Sequence, residues 1–290
     1  MASVEVPLID MEKVDGLPEE LVKAAEGCGC FRIVNHGVPP QLMAEMKVVA
    51  VSLFDLPKEL HGMSYIGRGL ITPFFESLSI DDIVSLDDLC DNKLDVSTHQ
   101  LETIYKYTKA IREVAGLIGR KLMEGSGLEG DLFDGWLCQL RMNKYHFCEE
   151  SVGLPGGLLH TDPSFLTILQ DDENVNGLQI VDKLSGEFVP LDHVPGTLIV
   201  NVGELAKVWS NGRYYCVNHI ASCIEPKIRF SIALFMLAPK DKKIEAPSKF
   251  VDSDHPRLYA PFDYREYVKV RKSTREFTGG APDLFKFTPN

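Results

Sequence analysis

After Phe133 the chain breaks into short runs of alternating apolar and polar residues, each bounded by Gly, Pro, Asp or Asn. WLCQLRMNKYHF, GGLLH, SFLTILQ, GLQIVD, EFVPL, GTLIVNVG, YYCVNHIAS and KIRFSIALFML make eight such runs in about 100 residues. A period of two, punctuated this often, is the pattern of an all-β sandwich or barrel. A jelly roll of two facing sheets (a double-stranded β-helix) fits it, closing its edges and leaving a mouth for a small molecule.

The front of the chain has a different period. VEVPLIDM alternates as a short strand, LPEELVKAAE has helical spacing ended by glycines, and CFRIVNHGV reads as a second strand running into a turn. From Pro39 the stretch PPQLMAEMKVVAVSLFDLP predicts a helix with proline at its start. THQLETIYKYTKAIREVAGLIGRKLMEG predicts a long helix closing near Gly125–Gly127, and PFDYREYVKVRKS predicts one more near the C-terminus. Residues 61–97 read as a polar loop region with short helices. The expected class is therefore mainly β with flanking helices: an α-rich N-terminal region over 1–130 wrapped on a jelly roll over 131–290.

With 44% hydrophobic residues in 290, a large core can form. The net charge of −12 argues against nucleic acid or an anionic membrane as a partner. No apolar stretch approaches the length of a membrane span, and the start of the chain lacks a secretory signal. Seven scattered cysteines fit free thiols in a reducing, cytoplasmic setting. Cys28 and Cys30 form C-x-C, but no second Cys/His pair lies at zinc-finger spacing. A small-molecule substrate and a monomer are the default expectations.

Polar residues inside the strand-like runs carry the chemistry. His160 and Asp162 are two apart, which in a strand points both to one face. His219 lies in a later run. Two imidazoles and a carboxylate on rigid strands form a facial triad with open positions, suited to non-haem Fe(II); a hydrogen-bonded His–Asp core pair is the bland alternative. Arg229 and Ser231 also share a face. The turn material Glu225–Pro226–Lys227 predicts a hairpin that returns residues 229–232 alongside 219–222. A buried Arg needs an anion, and its planar fork matches a carboxylate, whether of a ligand or of an acid elsewhere in the chain. Asn143 and Tyr145 alternate with Lys144 and His146, so the first two point inward and His146 points outward as a non-ligand. Arg141 shares that inward face and can meet a substrate carboxylate. His36 is expected to cap a turn.

The order N-x-Y, H-x-D, WSNG, H, R-x-S resembles plant 2-oxoglutarate/Fe(II)-dependent dioxygenases, and GCFRIVNHGVP is similar to that family's N-terminal signature. The resemblance spans roughly residues 4–272. Within the family, HTDPSFLTILQDDENVNGLQIVD and NVGELAKVWSNGR look most like the dioxygenases for auxin oxidation and their AOP-like relatives. It implies Fe(II) on His160, Asp162 and His219, with 2-oxoglutarate held by Tyr145, Arg229 and Ser231, and O2 as second cosubstrate. Family position points to Phe235 as an aromatic facing the metal, although ordinary core packing explains it equally. Arg141 and Asn143 complete the implied substrate side, with Phe75 in the lid. The implied reaction is oxidation of indole-3-acetic acid to 2-oxindole-3-acetic acid, with succinate and CO2 released. Hydroxylation or desaturation of another plant metabolite is the alternative within the class. A zinc hydrolase is a further one, but it leaves Arg229, Ser231 and Tyr145 without a role. The chain departs from the family at Ile220, where Arg is usual, which is expected to reshape the substrate side of the pocket.

Overall fold

The computed structural model describes residues 6–56, 63–83, 96–239 and 241–287. The front part runs β1 (Leu8–Asp10), α1 (Leu17–Glu26), β2 (Cys30–Val34), α2 (Pro40–Leu53), β3 (Ser64–Ile66), β4 (Phe75–Asp81) and α3 (Thr98–Gly125). The back part runs β5 (Trp136–Tyr145), β6 (Leu166–Gln170), β7 (Leu178–Val181), β8 (Phe188–Pro190), β9 (Leu198–Val202), α4 (Glu204–Trp209), β10 (His219–Ala221), β11 (Arg229–Pro239) and α5 (Tyr264–Thr274).

Local chemistry explains the helix limits. Proline stands in the first turn of α1 and α2, where its missing N–H costs nothing. At the start of α3, Ser97 Oγ accepts from Gln100 N at 3.3 Å, and Gln100 Oε1 accepts from Ser97 N at 2.8 Å. That reciprocal pair satisfies two donors that the first turn would otherwise leave bare. Ile104, Ile111, Val114, Ile118 and Leu122 then form the buried stripe of α3.

Two sheets face each other. The larger has the order β1-β2-β9-β6-β11-β5-β4-β3, and the smaller has β10-β7-β8. Apart from the parallel β1–β2 pair, the pairings are antiparallel. Alternation divides the larger sheet into two chemically distinct faces. Leu140, Met142, Leu166, Ile168, Leu198, Val200, Ile232 and Leu234 belong to the main core, which also holds the buried stripes of α1, α2 and α3. Their neighbours Arg141, Asn143, Thr167, Leu169, Asn201, Ser231, Ala233 and Phe235 line a cleft on the opposite face. Leu169, Leu178, Ile180, Leu191, Ile199, Val217 and Phe235 pack a smaller apolar cluster between the sheets. This is the expected mainly-β jelly roll with flanking helices.

Three expectations need correction. Part of the region read as a loop over 61–97 is sheet: β4 lies along β5, with Phe75 opposite Tyr145 and Ser79 opposite Arg141. Residues 61–62 and 84–95 lie outside the described residues. FESLSID carries a weak strand signal because its large apolar residues are split between the two faces: Phe75 lines the cleft, whereas Leu78 and Ile80 enter the main core. Secondly, GGLLH is not a strand. His160 makes only an isolated bridge to His219, Asp162 is in no strand, and Leu158 is 51% exposed. Thirdly, residues 219–221 and 229–239 do not form a hairpin. β10 pairs with β7 in the small sheet, while β11 pairs with β5 and β6 in the large one. The turn at 225–227 crosses from one sheet to the other, so Arg229 and Ser231 face His219 across the sandwich.

Phe165 anchors the approach to the cleft. It is 1% exposed and stands edge-on to Phe133, Trp136 and Trp209, with ring centroids 5.3, 5.6 and 5.4 Å away. Its carbonyl accepts from Gly203 N and its N–H donates to Met236 O, both at 2.8 Å. Phe165→Ala is expected to cost about 3–5 kcal/mol of stability, read as a lowered midpoint in chemical denaturation. Phe287→Ala, on the surface, is expected to leave that midpoint unchanged.

Candidate active site

His160, Asp162 and His219 come together, the last two buried and His160 part-exposed, with one potential ligand atom from each lying within 4.8 Å of the others. The backbone brings this about. His160 N donates to His219 O at 3.1 Å and His219 N donates to His160 O at 2.8 Å, which locks the two segments side by side. The imidazole centroids are then 4.3 Å apart. Asp162 Oδ1 lies 3.8 Å from His160 Nε2 and 3.7 Å from His219 Nε2.

Each ring is turned the same way. His160 Nδ1 lies 2.8 Å from Leu158 O, and His219 Nδ1 lies 3.3 Å from Val217 O. A carbonyl can only accept, so Nδ1 carries the proton and the Nε2 lone pair is free to ligate. Desolvation, together with the neighbouring His219 ring, holds His160 below its ordinary pKa, which keeps the imidazole neutral. Burial works against ionisation of Asp162, but His219, His160 and a hydrogen bond from Thr167 outweigh it, so the carboxyl titrates below its usual range. Asp162 Oδ2 is buried without a hydrogen-bond partner among the described residues. A buried carboxylate oxygen left bare in this way is costly unless a cation covers it. Two neutral imidazoles and one carboxylate are a donor set that fits Fe(II).

Across the cleft, the β5–β11 register places Arg229 opposite Tyr145 and Ser231 opposite Asn143. Arg229 is 2% exposed, its Cζ lies 5.3 Å from the Tyr145 ring centre, and its Nε has no partner among the described residues. Asn143 Nδ2 donates to Ser231 Oγ at 3.2 Å. Burial raises the Tyr145 pKa above its ordinary value, against the pull of Arg229 and Ser231, so the phenol keeps its proton. A guanidinium, a phenol and a hydroxyl converging in an apolar wall suit one end of a dicarboxylate. Phe75, expected in a lid, instead packs beside Tyr145 with ring centroids 5.3 Å apart.

Arg141 and Phe235 form a third group. The Arg141 guanidinium lies 5.3 Å from the Phe235 ring centre and donates to Gln139 Oε1 at 2.9 Å. Its Nε is unpartnered among the described residues, and burial lowers its pKa from the ordinary value. All ten residues singled out from sequence line one cleft of about 410 Å³. An adjoining hollow of about 460 Å³ shares Arg141, His160, Asp162 and Phe235 with it and extends under α5.

His146 points away, with Nε2 2.6 Å from Glu76 Oε1, as its odd place in the alternation requires. His36 Nδ1 accepts from Val38 N at 3.2 Å and caps its turn. Ile220 also faces away: it pairs with Gln179, and the cleft is lined by its neighbours His219 and Ala221. The departure from the family's Arg therefore leaves the cleft wall unchanged, because alternation sends that position to the other side.

Sequence reasoning missed several cleft residues. Arg271, Lys272 and Phe277 arrive from α5 and the segment after it, and Asn201 from β9. Helix α5 lies over a hundred residues beyond His160, and nothing local to RKSTREF marks a cavity wall. For Asn201 there was a signal: a polar residue in the apolar run LIVNV.

The comparisons with known proteins agree with this geometry. Residues 136–238 match the 2OG-Fe(II) oxygenase superfamily, and residues 6–61 match the non-haem dioxygenase in morphine synthesis N-terminal family. The chain is 41% identical to the 2-oxoglutarate-dependent dioxygenase DAO of Oryza sativa subsp. indica, over 96% of this chain and 98% of that one. It is 31% identical to gibberellin 2-beta-dioxygenase 8 of Arabidopsis thaliana, over 94% and 84%. Among solved structures, the rice dioxygenase for auxin oxidation superposes with a TM-score of 0.89 at 39% identity, covering 98% of this chain and 100% of that one. The 2-oxoglutarate complex of dioxygenase for auxin oxidation 1 from Arabidopsis thaliana gives 0.82 at 45% identity, covering 87% and 100%. With iron and 2-oxoglutarate as its cofactor and cosubstrate, the chain belongs to the 2OG-Fe(II) oxygenase superfamily and is a 2-oxoglutarate-dependent dioxygenase.

Proposed function

We propose that this enzyme oxidises the auxin indole-3-acetic acid to 2-oxindole-3-acetic acid. One oxygen atom of O2 enters the substrate and the other enters the succinate formed as 2-oxoglutarate loses CO2. The observation that carries the reading is the Arg141–Phe235 pair. A half-buried guanidinium, its buried Nε unpartnered among the described residues, lies over an aromatic ring beside His160 and Asp162 and offers a planar ring and a carboxylate what each needs. The rice and Arabidopsis relatives named for auxin oxidation support it.

In this reading His160 Nε2, His219 Nε2 and an Asp162 oxygen hold Fe(II). The bound metal supplies the activation of O2 that is coupled to decarboxylation of 2-oxoglutarate. Arg229, Ser231 and Tyr145 grip the far carboxylate of 2-oxoglutarate, Asn143 orients Ser231, and Phe75 packs behind Tyr145. Arg141 takes the substrate carboxylate and Phe235 takes the ring. The apolar walls contributed by Leu169, Leu178 and Ala233 exclude water from the reacting atoms.

The enzyme is also proposed to act as a monomer in the cytoplasm, without nucleic-acid or membrane partners. Six described cysteines are free thiols, the net charge is −12, and among the described residues no helix is long and apolar enough to cross a membrane.

Succinate release tests the reaction. With Fe(II), 2-oxoglutarate and O2, indole-3-acetic acid is expected to stimulate succinate formation and to appear as its 2-oxindole product by mass spectrometry. Stimulation by other acids but not by this one overturns the substrate. Asp162→Ala is expected to abolish turnover, while His146→Ala retains it, because His146 bonds Glu76 outside the cleft. Arg141→Met is expected to raise the KM for the aromatic acid roughly tenfold or more, the loss of a charge-assisted hydrogen bond, with the KM for 2-oxoglutarate unchanged. Arg229→Met is expected to do the reverse.

A further inference from the structure

The loop that carries two of the three metal-site residues has no sheet ladder of its own. On the cleft side it is tied by the bridge between His160 and His219. On the opposite side every polar atom of Thr161, which is fully buried, is taken. Thr161 N donates to Phe277 O at 2.7 Å. Its Oγ1 donates to Glu204 Oε1 at 2.5 Å, with Phe277 O also 3.1 Å away. Its carbonyl accepts from Arg271 Nη2 at 2.5 Å. Consecutive side chains of an extended segment point opposite ways. Gripping Thr161 from behind therefore aims His160 and Asp162 forward into the cleft.

Glu204 is the centre of this grip. It opens helix α4, is fully buried, and its N–H donates to Asp162 O at 2.9 Å. Its carboxylate accepts from Thr161 Oγ1, from Tyr267 Oη at 2.5 Å and from Arg271 Nε at 3.1 Å. Arg271 and Tyr267 both belong to α5. Buried ion pairs of this kind contribute little net stability compared with apolar packing of equal volume. What this one provides is a set of fixed directions: the guanidinium reaches Glu204 and the Thr161 carbonyl through two nitrogens of one rigid plane, whereas the donors of an ammonium radiate from a single rotatable nitrogen.

We propose that Glu204, Arg271 and Thr161 are positioning residues for the metal site. Together they hold His160 and Asp162 in ligating geometry, so that metal affinity depends on the docking of α5. This rests on the reading of His160, Asp162 and His219 as the ligands. Because Arg271 also lines the cleft, the same side chain faces the substrate space and braces the metal loop.

Cobalt(II) titration of the metal-free, full-length protein tests this without turnover, reading affinity and the visible absorption bands of the bound metal. Thr161→Val and Arg271→Lys are each expected to weaken cobalt binding roughly ten- to a hundredfold and to shift the bands, while Thr161→Ser restores both. Thermal midpoints of the metal-free variants separate this from a loss of fold, and Thr161→Val, which is isosteric, is expected to stay within a few degrees of the parent. A lowered midpoint with unchanged cobalt affinity and bands in both variants assigns these residues to stability alone and overturns the proposal. His219→Ala serves as the control for the ligands. Cobalt binding by that variant at the parent's affinity removes the ligand assignment, and the proposal with it.

Discussion

Everything in this protein depends on keeping a dry core and a charged cleft one residue apart along the same strands. In β5 and β11, Leu140, Met142, Ile232 and Leu234 enter the main core. Arg141, Asn143, Ser231 and Phe235 between them enter the cleft. A slip of one residue in either strand would exchange the two sets, burying guanidinium against the helices and opening leucines to the cofactor. The ten-position register between β5 and β11, broken only by an irregularity between Met236 and Ala238, lies well beyond the tolerance of such a slip.

The cleft retains unsatisfied polarity in return for function. Asp162 Oδ2, Arg229 Nε and Arg141 Nε are buried without protein partners among the described residues, and they sit at three separate places in the cleft. Each is a group that folding alone would not leave bare. In the proposed reading they would meet, in order, a cation, the distal carboxylate of the cosubstrate and the carboxylate of an aromatic acid. Two of the three belong to the sheet, which holds them rigidly. The third, Asp162, belongs to a loop, and that difference explains why so much hydrogen bonding from Glu204 and α5 converges on Thr161.

The jelly roll was legible because period-two runs with frequent turn residues have few other folds open to them. The cleft face of β5 and β11 was equally legible: Arg141, Asn143 and Tyr145, like Arg229 and Ser231, are two apart, and spacing alone decides facing within a strand. β4 is harder to see, since Phe75 faces the cleft while Leu78 and Ile80 face the core, so FESLSID shows no clean period-two apolar stripe. His160 and Asp162 were found through the wrong local structure. Their spacing fits strand alternation, but an extended loop, pinned from behind, gives the same facing.

Local sequence set the chemistry on offer in the cleft, because residue types and their alternation are properties of the segment itself. It also determined that the cleft would be one face of a β-sandwich. Long-range packing set which sheet each strand joined. The turn at Glu225–Pro226–Lys227 is compatible with a hairpin or a crossover, and the choice rests on strand partners far away in the chain. It decided as well that Glu204 and Arg271 meet behind Thr161, since their approach depends on where α4 and α5 dock. Contacts between residues so far apart are set by packing, to which no local period gives access.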